Sequence, residues 1–331
     1  MTTPLRDSLL FDDPGELIAS IPGMLSFLPE DSLVLVTYTG RIRLTMESVL
    51  RLDLPDPKHH ADLAEQLRVV ALNHEATVIE LVVLGDAPDS PERPELPRRD
   101  LVDLLDQVLA EEGITLAHAV WAPRVEQGRT WWCYDDPGCT GPIRDPAASP
   151  ITTTMTAAGV VTYPTRAELA AQLAPDPPDT LARRAELLAA QPPADPEAAF
   201  PFVRDTIDAA PAELDDDTVA RLARALSHPD VREACLSFAL TVRAGPAERL
   251  WLTLTRATPG PARADPASLL AVTAFLRGEG AMATLAVDAA LTANPDHHLA
   301  RTVRHVMDYG FPPDRFRLML AQSFVTAFAG K

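Results

Sequence analysis

The spacing of apolar and polar positions changes character partway along the chain. Ile42, Leu44, Met46, Leu50, Leu52 and Leu54 take even positions, and Arg43, Thr45, Glu47, Arg51 and Asp53 stand between them. A period of two is that of a strand with one wet face. The preceding run from Ser32 to Thr39, SLVLVTYT, is apolar through its middle, as expected for a strand covered on both faces. Gly40 turns the chain between them, so residues 33–54 read as a β-hairpin. Upstream, Asp13-Pro14-Gly15-Glu16 resembles a capping box that opens a helix with Leu17, Ile21, Met24, Leu25 and Leu28 on one side. Pro22 is expected to kink or split that helix.

The alternation of element types continues. A helix is expected over 58–73 with Leu63, Leu67 and Val70 inward, then a buried strand Val78–Leu84 (VIELVVL) and a Pro-rich surface loop over 86–97. Leu101, Leu104, Leu105, Val108 and Leu109 trace the stripe of a core-facing helix that Gly113 ends. Ile114–Ala122 and Arg129–Tyr134 form a second hairpin around Gln127-Gly128. The order β-β-α-β-α-β-β predicts an α/β domain whose mixed sheet has a parallel centre and an antiparallel hairpin partner at each end.

Gly141-Pro142, Pro146 and Pro150 then interrupt the chain and place a boundary near 145, giving domains 1–145 and 146–331. The second half reads as all-α. Helices are expected near 150–158, 165–173, 179–190, 196–209, 215–226, 229–242, 245–257, 266–278, 280–293, 297–309 and 313–329. Short breaks at His228-Pro229, Gly245-Pro246 and Asn294-Pro295 suit helical hairpins. In one of these, Leu270, Ala271, Gly278, Ala283, Ala290 and Pro295 resemble the small-residue and proline positions of a tetratricopeptide repeat, which makes this domain repeat-like.

Composition narrows the function more than it shapes the fold. Lys occurs only as Lys58 and Lys331, and the basic residues are otherwise Arg, which is the codon signature of a GC-rich bacterial genome. The net charge of −18 repels a phosphate backbone, so nucleic-acid binding is not expected. No run reaches the ~20 apolar residues of a membrane span, and no signal-peptide pattern opens the chain, so a cytoplasmic protein is expected. Three cysteines supply no disulfide framework. The Gly85-Asp86-Ala87-Pro88 turn lacks the glycine pattern of a nucleotide-binding loop, and neither a G-x-S-x-G elbow nor an H-E-x-x-H helix occurs.

Candidate chemistry gathers where the two halves meet, at Trp131-Trp132-Cys133-Tyr134-Asp135-Asp136-Pro137-Gly138-Cys139. Alternation sends Trp132 and Tyr134 to one face and Trp131 to the other. Such rings serve recognition as readily as they seal a domain join. Asp135-Asp136 reads as ordinary turn composition or as a cation or acid–base pair, with Glu30-Asp31 before the first strand as a further acidic corner. Cys133 and Cys139 lack the C-x₂₋₄-C spacing of structural zinc, with only Cys235 and His118 to add, so neither metal nor cofactor is expected.

Three stretches, Leu17–Val34, Trp131–Cys139 and Gly278–Pro295, together resemble an actinobacterial family of unknown function, number 4192 in the domain-of-unknown-function series. The resemblance implies a shared two-part build and carries no activity with it. The leading expectation is a non-catalytic interaction or regulatory protein with a protein or peptide partner. Its expected contact surface comprises Trp131, Trp132, Tyr134, Asp135, Asp136, Glu30 and Asp31 together with the inter-domain groove. The alternative is a metal-assisted hydrolase using Asp135 and Asp136 with Glu30 or Asp31.

Overall fold

The computed structural model describes residues 11, 13–40, 43–85 and 95–329, with side chains up to 323. Ile42, Asp86-Ala87-Pro88 and most of the Pro-rich 86–97 stretch lie outside the described residues. The chain divides into two compact units, Met1–Glu168 and Leu169–Lys331.

The first unit runs α1 (Pro14–Leu25), β1 (Ser32–Thr39), β2 (Thr45–Asp53), α2 (His60–Asn73), β3 (Val78–Leu84), α3 (Arg99–Glu111), β4 (Thr115–Ala122), β5 (Thr130–Cys133), β6 (Thr140–Pro142) and α4 (Pro150–Ala157). The strands form one mixed sheet in the order β2-β1-β3-β4-β5-β6. Among the described strands of the sheet only β3 and β4 pair in parallel, and β1 is antiparallel to both β2 and β3. The expected parallel centre is therefore a single pair. The reason is that β1 sits between β2 and β3, so the α2 connection joins two strands that are not neighbours.

One face of the sheet carries Leu33, Leu35, Ile79, Leu81, Val83, Ala119 and Trp121, packed with Leu63 and Leu67 of α2 and Leu101, Leu105 and Leu109 of α3. Full burial of each such side chain is worth about 1.5–3 kcal/mol, so this layer is the main source of the unit's stability. The α1 helix belongs to the other face, where Gly15 lies against the Trp131 ring. Asp13 caps α1 by accepting the Gly15 N–H at 2.8 Å and also pairs with Arg144 at 2.8 Å. The helix continues through Pro22 to Leu25 without the expected break. Proline removes only one backbone donor there, and the helix ends within a turn of it.

The unit extends past the Pro-rich break at 141–150 because that segment folds back on α1. Ser149 Oγ meets Ser20 Oγ at 2.8 Å. A Cβ on Gly23 would stand 2.8 Å from the Thr152 Cα, so α4 approaches α1 to backbone contact. Tyr163 then bridges Phe27 through backbone hydrogen bonds. Proline punctuates the chain at 142, 146 and 150 without marking the domain edge.

The second unit is helical: α5 (Arg166–Ala171, straddling the division), α6 (Pro178–Ala190), α7 (Pro196–Ala209), α8 (Asp216–Leu226), α9 (Pro229–Cys235), α10 (Ala244–Ala257), α11 (Ala264–Arg277), α12 (Gly280–Ala293), α13 (His298–Asp308) and α14 (Pro313–Ala329). The stretch expected as one helix over 229–242 is α9 followed by a tighter 3₁₀ segment, Leu236–Leu240. Helix α11 is buried from Ala264 to Leu276. It touches α8, α9, α10, α12, α13 and α14, which makes it the axis about which the unit is packed. A helix apolar on all sides is stable only in such a position.

Charged groups buried in this unit are paired. Arg184 donates to Asp176 at 2.6 Å, to Asp216 at 2.7 Å and to the Ala257 carbonyl at 3.2 Å. Asp265 on α11 accepts from Arg232 at 2.5 Å and lies 3.1 Å from His297 Nε2. His297 Nδ1 accepts the Ala300 N–H at 3.2 Å, so this histidine caps α13 and places its proton on Nε2.

Candidate functional site

The aromatic and acidic residues around position 133 divide sharply by burial. Trp131, Trp132 and Tyr134 are 5%, 5% and 2% exposed, whereas Asp135, Asp136, Pro137 and Gly138 are exposed. The rings therefore form no accessible recognition surface, which corrects the expected role of Trp131, Trp132 and Tyr134. Alternation along β5 explains where they go. Trp132 and Tyr134 enter the α2–α3 side of the sheet, where Trp132 meets Trp121 at a ring separation of 5.3 Å. Trp131 points to the opposite side and lies against Gly15 and Gly141. Its Nε1 is buried with no partner among the described residues.

Beyond the rings, hydrogen bonds hold the chain at Tyr134, Asp136, Gly138 and Cys139. Tyr134 donates its hydroxyl to the Pro97 carbonyl at 2.5 Å, and Arg99 donates to the Tyr134 carbonyl at 2.8 Å with its guanidinium 5.5 Å from the ring. Asp136 Oδ1 accepts the Gly138 N–H at 2.8 Å and its carbonyl accepts the Cys139 N–H at 3.0 Å. This is an Asx turn. It returns the chain into β6, a short strand that sequence patterning did not show. The result is an acidic turn carried on a buried aromatic base.

Glu30 and Asp31 are exposed but belong elsewhere. Asp31 precedes β1 with φ 43°, and Gly85 after β3 is open enough to admit its carboxylate. The Glu30 carbonyl accepts from Ser32 at 2.5 Å and from Arg51 at 3.2 Å. Ser32 is level with Leu84 and hence with Ala122, whereas the Tyr134 N–H reaches Ala119, further down β4. Strands β1 and β5 are three inter-strand spacings apart, about 14 Å. A shared cation needs ligand oxygens about 2.3–2.6 Å from the ion. The structure does not bring Glu30 or Asp31 to Asp135 and Asp136. No group of three or more His, Cys, Asp or Glu side chains among the described residues could hold a metal ion.

Two features escaped the sequence reading. Glu80, in the middle of β3, is fully buried, and its Oε2 accepts the Tyr38 hydroxyl at 2.5 Å while Oε1 has no partner among the described residues. Burial pushes the Glu80 carboxyl up to about 7 against the pull of the Tyr38 hydrogen bond. Burial, then the Glu80 charge, pushes the Tyr38 phenol well above its ordinary range. The signal was present: Glu80 is the one charge in a strand apolar enough to be covered on both faces. The second feature is the pairing of Cys133 with Cys139, whose backbones meet through the Cys133 N–H and the Cys139 carbonyl at 3.0 Å. Recognising β6 would have disclosed it, because Trp132 opposite Thr140 puts the two cysteines opposite each other.

Among the described residues of α7, its following loop and α8, a shallow cavity of about 310 Å³ is lined by Phe202, Thr206, Leu214 and the carboxylate-bearing Asp205, Glu213 and Asp215. Asp205 is paired with Arg204 at 2.8 Å and Asp215 caps α8 through the Thr218 N–H at 2.7 Å, so these two acids serve local structure. No helix among the described residues is long and apolar enough to cross a membrane.

Comparison with known proteins places the chain. Residues 14–314 match the family described as Domain of unknown function (DUF4192), and the chain belongs to that family. No curated protein and no solved structure matches it.

Proposed function

For a member of this uncharacterised domain family, we propose an interaction or regulatory role without catalysis, in which the turn Asp135–Gly138 is the contact point and the partner is a protein or peptide with a basic surface. The observation that carries this reading is the burial divide within one short segment. Three aromatic side chains anchor the turn internally, and two adjacent carboxylates stand in solvent at its tip. A tip that is already ordered loses little conformational entropy when it binds. The net charge of −18 favours cationic partners and speeds their approach.

The test is capture from cell extract on the immobilised full chain, wild type against Asp135→Asn/Asp136→Asn, at low and high salt. Asn at 136 keeps the acceptor for the Gly138 N–H, so the turn is preserved while its charge is removed. The expected result is a partner retained by wild type at low salt, released at high salt and lost by the double variant. Equal recovery by both proteins sinks the proposal.

We also infer an actinobacterial source, which the Arg-over-Lys composition of a GC-rich genome supports. The hairpin of α11 and α12 is read as tetratricopeptide-like because Ala271, Ala283 and Ala290 are wholly buried, which supports close approach of the two helices.

A further inference from the structure

The shoulders of the acidic turn carry a second chemistry. Cys133 ends β5 and Cys139 precedes β6, and the two are opposite one another in the antiparallel pair. The Cys133 N–H to Cys139 carbonyl bond of 3.0 Å, one of the two bonds of a hydrogen-bonded pair, keeps that pair's register, in which Cα atoms stand about 5.5 Å apart. That lies inside the roughly 4.4–6.8 Å window of a disulfide. Residues opposite each other place their side chains on the same face of the sheet, and the two thiols are within hydrogen-bonding reach of each other. Cβ atoms of such a pair are about 4.5–5.5 Å apart, so up to about 1.5 Å of closure is needed to reach the ~4 Å of a disulfide.

The two sulfurs also differ in a useful way. Cys133 is buried and Cys139 is partly open to solvent. An external reagent therefore meets Cys139 first, and Cys133 waits behind it. We propose that Cys133 and Cys139 form a reversible dithiol–disulfide site that reacts with small-molecule disulfides of the glutathione class. The Cys139 thiolate attacks one sulfur of the oxidant, forming a mixed disulfide and expelling one thiolate. Cys133 then attacks the Cys139 sulfur, forms the intrachain bond and expels the second thiolate. Each cysteine gives up one proton, both protons end on the two released thiols, and the two electrons lost by the protein reduce the oxidant.

The thiol of Cys139 is pushed up by partial burial, then by the neighbouring Cys133 and the Asp136 carboxylate, so the reaction quickens as pH rises. Cys235 is an internal control, since burial pushes its thiol up to about 12, and it is expected to stay unreacted in the folded chain. The site stands apart from the interaction reading, because oxidation is detected without any partner.

The experiment treats the reduced full chain with oxidised glutathione and reads intact mass and peptide maps. The wild type is expected to lose the mass of two hydrogens and to yield a Cys133–Cys139 cross-linked peptide that a thiol reductant reverses. Cys133→Ser is expected to stop at one glutathione on Cys139. A wild-type protein that keeps glutathione on Cys139, cross-links through Cys235, or shows no reaction up to about pH 9, where free thiols ionise, overturns the proposal. The wild-type readout alone decides this, so misfolding of the buried-cysteine variant leaves the test intact.

Discussion

Single residues in this protein are governed by which side of the sheet they face, and that makes their substitutions separable. Trp132→Ala empties a site between Trp121 and the α2–α3 layer, and a loss of about 3–5 kcal/mol is expected in denaturant unfolding. Asp135→Asn, three residues on and fully in solvent, is expected to change stability by less than about 0.5 kcal/mol in the same measurement. Glu80 gives a pH dependence. Its carboxyl rises from an ordinary 4.5 to about 7 on folding, so the folded chain holds a proton that the unfolded chain gives up. Its stabilising contribution is complete below the ordinary value, shrinks as pH rises, and is gone above the folded value. The expected loss over that window is up to about 3 kcal/mol. Glu248 in the second unit, also pushed up to about 7 by burial, titrates in the same window. Glu80→Gln separates the two, since glutamine still accepts the Tyr38 hydroxyl. Urea titrations between pH 4 and 8 should show a smaller fall for the variant, and an identical curve would discard this account of Glu80.

At the scale of elements, periodicity was readable and pairing was not. The alternation of Leu44 to Leu54, the apolar VIELVVL run and the stripe of Leu101 to Leu109 all state how one segment meets the core, which is a local property. The insertion of β1 between β2 and β3 is a global one, and no residue in either strand announces it. Strand β6 was hidden because Thr140-Gly141-Pro142 has turn composition and no apolar alternation, and it exists only because β5 offers an edge. The acids of the candidate site were visible as residues. Their separation was not, since it depends on strand order. Close contacts between elements follow the same logic: Gly23 resembles any helical glycine until Thr152 of α4 is seen against it. Gly23→Val forces backbone apart and should cost about 1–3 kcal/mol, read as a lower melting temperature together with earlier proteolysis after α4. In the second unit, Arg184 holds Asp176, Asp216 and the Ala257 carbonyl at once. Arg184→Ala removes all three contacts, while Arg183 still pairs with Asp216 at 2.5 Å and Arg256 stands 3.9 Å from Asp176, so a measurable but moderate loss of stability is expected in denaturant unfolding, whereas a surface arginine such as Arg301 should tolerate the same change.

For the whole molecule, charge and chain order matter most. A net charge of −18 acts against compactness, so added salt should raise the melting temperature up to about 0.5 M, beyond which screening is nearly complete. A melting temperature that falls with sodium chloride would show that the arginine ion pairs outweigh the self-repulsion. Chain order has its own effect, through the bridge of Phe27 to Tyr163 and the seat of α4 on α1. Ser20 and Gly23 leave the ribosome early, yet the segment they pack against, Ser149 to Thr152, is translated more than a hundred residues later. At about 5–20 residues per second they spend on the order of ten seconds uncovered. Newly made chains stopped before residue 150 should therefore be chaperone clients, and those released after residue 165 should not.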